Sequence, residues 1–261
     1  MTIDTRRYSV VSYWGPRATT PTDCASRFER LLSELSEIDP SFGNWNVYDE
    51  KTATPYDSLD HKGIVDYIAS RVSRTESGKP TPISGYYFGA FSDGLIKTPR
   101  TWGVSIHAGQ EFAANYRINS ADIDSAPLCD ENAELITLAV LKRLLLTLVS
   151  CWEPNWCGLI PWAIVDVEKK RTRPRFGAAW MTYLSPAFAQ LVTPPSSAIV
   201  EHLSGGGLLM TATNERFDAD NPKHMAVARD CETALAPINA LPWPPEQALG
   251  LWSPPATSQT R

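Results

Sequence analysis

The stretch DENAELITLAVLKRLLLTLVSCWEPNWCGLIPW, Asp130–Trp162, decides how the rest of the chain is read. From Leu135 to Val149 it is apolar on nearly every face, interrupted mainly by Thr137, Lys142, Arg143 and Thr147. A helix with so little polar surface must be covered on more than one side. Asp130 is the expected N-cap, and Glu131 and Glu134 would place negative charge beside the positive end of the helix dipole. Pro154 ends the helix. A membrane span is the rival reading, but Lys142 and Arg143 fall in mid-helix. The charge-free runs on either side are far short of the ~20 residues a bilayer needs. The prediction is therefore a long core helix around which other elements pack.

Those elements can be followed outward. Toward the N-terminus, YSVVSYW (8–14) reads as a strand ended by Gly15-Pro16. Thr22 or Asp23 can cap a helix carrying Phe28, Leu31, Leu32 and Leu35 on one stripe, and Pro40 ends it. WNVYD (45–49) reads as a short strand, and a second amphipathic helix runs from about Asp60 to Ser73 with Ile64, Val65, Ile68 and Val72 inward. Three strand-like runs follow, 85–92, 101–109 and 112–119, joined by turn-like connections that predict hairpins. On the C-terminal side, 161–169, 176–185, 197–204 and 208–214 read as strands, and a last helix spans roughly Asn221 to Ile238 with Pro222 in its first turn. From about residue 241 the chain is proline-rich.

Runs of strands between isolated helices predict an α+β fold: a mixed, largely antiparallel sheet or sheets packed with about four helices, one of them long and buried. At 261 residues, with no repeat and no linker, the expectation is a single domain over 1–261 with a proline-rich tail. The composition, 43% hydrophobic and 20% charged, is that of a soluble globular protein. Five scattered cysteines, an odd number, read as reduced thiols. The N-terminus lacks an apolar run of signal-peptide length, so a cytoplasmic location is expected.

Catalytic and metal signatures are sparse. Cys151 and Cys157 stand six apart without a CxxC or HxxxH partner, and the four histidines lie in separate elements, so no metal is expected. Gly205-Gly206-Gly207 precedes a strand-like run where a phosphate cradle would need a helix N-terminus, so it reads as a hairpin turn and no cofactor is expected. No GxSxG motif is present. The carboxylate pairs Asp57 with Asp60 and Asp218 with Asp220 read as solvated loop acids. The chain is expected not to be an enzyme. Among the tryptophans, Trp102 and Trp180 read as core, and Trp14, Trp45 and Trp243 sit at element ends where an aromatic can anchor a partner.

Charge is more informative. The net charge is −5, which argues against direct nucleic-acid binding through phosphates. Asp122, Asp124, Asp130, Glu131 and Glu134 lie in a stretch without Lys or Arg, and Asp49, Glu50, Asp57 and Asp60 form a second acidic scatter. Against them, Lys169, Lys170, Arg171, Arg173 and Arg175 crowd one expected hairpin tip. The plain reading is a solubilising surface with helix-capping acids. The sharper one is an acidic face that steers onto a basic protein, such as a nuclease with a positive cleft.

Several patches point to one family. VVSYWGPR (10–17), the Cys-Ala helix after it, DPSFGNW (39–45), GAAWMTYLS (177–185) and GGLLMTATNERFDADNPKH (206–224) together resemble the immunity protein 52 family. The resemblance implies an immunity protein of a bacterial polymorphic toxin or type VI secretion system. It implies stoichiometric neutralisation of a cognate toxin with a restriction-endonuclease-like DNase domain. It brings no catalytic residues, so the nine acids named above, Asp49, Glu50, Asp57, Asp60, Asp122, Asp124, Asp130, Glu131 and Glu134, stand as the candidate toxin-binding set. Two other classes stay open on sequence: a hydrolase with a site assembled from distant residues, and an adaptor that loads an effector for secretion.

Overall fold

In the computed structural model the described residues are 7–49, 52–92, 100–112, 118–167 and 176–241. In chain order the strands and helices are β1 (Tyr8–Trp14), α1 (Pro21–Ser36), β2 (Trp45–Asp49), β3 (Thr52–Pro55), α2 (His61–Ser70), β4 (Ser84–Ser92), β5 (Trp102–Gln110) and β6 (Asn119–Ser125). Then come α3 (Leu138–Trp152), β7 (Trp156–Pro161), α4 (Trp162–Val167), β8 (Met181–Leu184), α5 (Pro186–Ala189), β9 (Ile199–His202), β10 (Leu208–Thr211), α6 (Pro222–Ala234) and α7 (Ala236–Asn239). All ten strands join one sheet in the order β3-β2-β4-β5-β6-β1-β7-β8-β10-β9. Every pairing in it is antiparallel. The fold is α+β, with four longer helices (α1, α2, α3 and α6) as expected.

β1 lies at the middle of the sheet because it can use both faces. Tyr8, Val10, Ser12 and Trp14 point one way, and Ser9, Val11 and Tyr13 the other. The first set meets α3, whose Leu141, Leu144, Leu145, Leu148, Cys151 and Trp152 are buried. α1 packs against α3 and also reaches the sheet, where Phe28 lies edge-on to Phe88 of β4 at 5.4 Å, so the buried stripes of both helices face the strands. Its two mid-helix cations reach out to partners: Lys142 Nζ lies 2.6 Å from Glu201 Oε1, and Arg143 Nη2 donates to the Glu37 carbonyl at 3.1 Å. A smaller apolar cluster of Trp156, Phe176, Leu184, Phe188, Leu208 and Met210 lies on the other face of the sheet, under α5, α7 and part of α6.

The start of α3 corrects the sequence reading. Its N-cap is Thr137, which accepts from the Val140 N–H, and Asp130–Asn132 form a separate 3-10 turn. The residues between are held by side chains from elsewhere. Arg216 donates to the carbonyls of Ile136 and Ala133 at 2.9 and 2.7 Å, and Asn132 is buried with its amide on the Pro127 carbonyl. Capping by Thr137 supplies a bond that Ala cannot, so Thr137→Ala is expected to lower stability by about 1 kcal/mol, read as a lower urea midpoint with an unchanged m-value.

Other boundaries also shift. α1 begins earlier than expected, with Thr20 rather than Thr22 or Asp23 as its cap. Thr20 and Asp23 satisfy each other's backbone N–H groups, and Pro21 fits the first turn. The run expected as a strand over 112–119 lies partly outside the described residues (113–117), and the strand that pairs is β6. β7 was hidden in the last part of the opening stretch, because a strand buried on both faces shows no alternation. Of the expected strand over 161–169, the described part (161–167) is the end of β7 followed by α4, whose Ile164 packs into the core. Tertiary packing here overrides the β preference of its branched residues. Gly205–Gly207 form the turn between β9 and β10, with Gly206 at φ 83°.

Candidate functional site

The described members of the acidic set do not share one face. Asp57 is exposed in a 3-10 turn before α2, and Asp60 caps α2 by accepting from the Gly63 N–H at 2.7 Å. Asp49 ends β2, and Glu50 lies outside the described residues, as do Lys169, Lys170, Arg171, Arg173, Arg175 and Trp243. Asp130, Glu131 and Glu134 are exposed around the 3-10 turn before α3. Arg100 sits among them, 2.7 Å from Glu134 Oε1 and donating to the Glu131 carbonyl at 2.8 Å. Glu134 is pulled below the usual carboxylate range by its own backbone N–H and by this guanidinium.

Asp122 and Asp124 lie on β6, in the middle of the sheet. Asn119, Ala121, Ile123 and Ser125 of β6 are buried on the α3 side, which leaves Ser120, Asp122 and Asp124 on the opposite face. Over β4, β5 and β6 no described helix covers that face. The strand register sets its rows. Phe91, Gly103, Asp124 and Ser9 lie across from one another, then Gly89, Ser105, Asp122, Val11 and Gly158, then Tyr87, His107, Ser120, Tyr13 and Trp156. The middle row is floored by small residues, with a carboxylate at its centre.

The walls are aromatic. Tyr87 is 62% and Phe91 42% exposed. Phe91 lies over Gly103, where an added Cβ would stand 3.2 Å from its ring. At the far end Tyr13 stacks on Trp156 with centroids 5.6 Å apart, and the Trp156 ring lies across Gly158. Trp162, 43% exposed, donates its indole N–H to Ser9 Oγ at 2.6 Å and carries Arg7 over its ring.

The two carboxylates differ in their company. Asp124 accepts from the Ser9 hydroxyl and lies near Arg7; burial raises its pKa, and these two partners oppose the rise. Asp122 keeps some exposed surface, but its Oδ1 is sealed from solvent and has no hydrogen-bond partner. Burial, and then the neighbouring Asp124, push the Asp122 carboxyl up to about 8, against a hydrogen bond from the Ser12 backbone. A buried acceptor without a donor is costly, and such groups concentrate where something else completes them.

The sequence did not single out Tyr87 and Phe91. The signal was present in SGYYFGAFS: a strand whose two faces both carry aromatics has one face too many for a sheet covered on one side only. The element-end tryptophans Trp14 and Trp45 are both buried. Among the described residues no three His, Cys, Asp or Glu converge as a metal cluster, and no helix is long and apolar enough to cross a membrane.

The sequence matches the profile of the family described as Immunity protein 52 over residues 6–241. The chain belongs to the immunity protein 52 family. Family membership makes it an immunity protein, whose partner is a cognate toxin. Among solved structures, its fold is similar to that of the Pseudomonas aeruginosa T6SS protein PA0821. The TM-score is 0.56 at 12% sequence identity, over 88% of this chain and 73% of that one. No curated protein matches in sequence. For this immunity protein 52 family member, the face to account for is the half of the sheet that no described helix covers.

Proposed function

We propose that this immunity protein acts in the cytoplasm against a toxin delivered by type VI secretion, and that the toxin is a nuclease of the restriction-endonuclease-like DNase class. It works by stoichiometric binding without turnover. The observation that carries the reading is the family match across residues 6–241. The fold shared with a T6SS protein supports the secretion route. A net charge of −5 supports a basic partner, because a cleft that holds phosphates is positive and attracts an acidic protein.

Co-expression tests it. The toxin encoded beside this gene, induced alone, should stop growth and degrade chromosomal DNA. Induced together with this chain, it should leave growth and DNA intact. Equal killing with the chain and with an empty vector would overturn the proposal. Protection from a toxin that leaves DNA intact when induced alone would overturn the nuclease assignment and keep the immunity role.

A further inference from the structure

We infer that this sheet face, over which no described helix lies, is the toxin-docking surface, and that its trough receives a lysine or arginine side chain of the toxin with the cationic head on Asp122. The inference rests on the proposed immunity function and adds the surface and its recognition chemistry.

Shape, charge and an unsatisfied atom all point to this occupant. The row Gly89–Ser105–Asp122 runs across three strands with almost no side-chain bulk until it reaches the carboxylate. Tyr87 and His107 stand on one side, and Phe91 lies over Gly103 on the other. A narrow, aromatic-walled trough ending in an acid fits an extended aliphatic stem with a charged tip. Arginine and lysine are the two side chains of that description.

The neighbouring acid explains why Asp122 is the receiving group. Asp124 already has the Ser9 hydroxyl, and Arg7 and Trp162 close its end of the face. Asp122 Oδ1 has no donor. A cation arriving from a partner would supply one and would draw the carboxyl into its ionised form. Tyr87 and Phe91 are then the exposed apolar contacts that surround and dry the ion pair, as aromatic anchors do at interface centres.

The test uses the full-length protein and a catalytically inactive form of the toxin encoded beside the gene, with binding followed by biolayer interferometry. Asp122→Asn should weaken binding about 30-fold or more, mainly through faster dissociation, as when a buried charge pair loses one partner. Tyr87→Ser with Phe91→Ser, changes at exposed positions, should weaken it on the order of 10-fold or more, with the Tm little changed. Asp57→Asn and Glu131→Gln, on other surfaces, should bind like the unmodified protein.

If the unmodified protein binds and both sheet-face variants bind equally well, the docking inference falls and the immunity role stands. If the unmodified protein does not bind, both fall. If neutralising Lys169, Lys170, Arg171, Arg173 and Arg175 tightens binding, the trough belongs to the chain's own basic run, and the inference is overturned.

Discussion

Replacing Trp152 by alanine is expected to lower stability by about 4 kcal/mol, within the 3–5 kcal/mol typical of a deeply buried tryptophan. Trp152 is the last residue of α3 and is 1% exposed. Its ring stacks on Trp14 of β1 with centroids 5.5 Å apart and approaches Phe88 of β4 at 6.4 Å. It therefore ties the end of the core helix to two strands that β5 and β6 separate in the sheet.

The backbone at this point is fixed from several directions, so the cavity has little freedom to collapse. Arg17 donates to the Trp152 carbonyl and Arg27 to the Cys151 carbonyl, each at 2.6 Å. These guanidinium groups complement the negative end of the helix dipole, which has no basic residue of its own in the last turn. Both also pair with Glu153, which caps the helix in the left-handed region at φ 50°. The expected readout is a fall in Tm of about 10 °C, at a few degrees per kcal/mol for a chain of this size. A loss below about 1 kcal/mol would mean that the site relaxes freely, contrary to close packing at the end of α3.

This end of the molecule was legible in the sequence because burial leaves a strong periodic signature. The apolar run from Leu135 to Val149 and the stripe of Phe28, Leu31, Leu32 and Leu35 each identify a helix and its inward face. The ends were less legible. Asp130, Glu131 and Glu134 look like a helix N-terminus, yet Arg100 and Arg216 engage that segment from distant positions that no local pattern announces. β6 is obscured in the sequence for a related reason. NSADIDS reads as part of an acidic stretch, but its alternation buries Asn119, Ala121, Ile123 and Ser125 and turns both aspartates to the other face. Charge is local in sequence, whereas the solvent exposure that gives it meaning is set by strands far away. Asp122 is the sharpest case: the sequence marks it as an acid, and only its neighbours β1 and β5 make it an unsatisfied one.

That burial gives the last prediction, for the free protein. Asp122 titrates near 4 in the unfolded chain and at about 8 in the native one. The native state therefore holds its proton more tightly, and stability falls as pH rises from about 4 toward 8. Asparagine has no charge to bury and mimics the protonated acid in size. Asp122→Asn should thus be close to neutral only below about pH 4, where both states hold the proton, and increasingly stabilising from there toward pH 8.5. Each pKa unit is worth about 1.4 kcal/mol, and partial exposure and the remaining Asp124 reduce the total, so a gain of at least ~2 kcal/mol at pH 8.5 is expected. Urea midpoints of both proteins measured from pH 5 to 8.5 would show their difference growing with pH. A constant difference would mean that the carboxylate is already compensated in the free protein, leaving no unsatisfied charge for a partner to meet. A growing difference, combined with weaker toxin binding by the same variant, would identify Asp122 as a group that costs stability in the free protein and contributes affinity in the complex, the opposition expected where a binding site is built into a core.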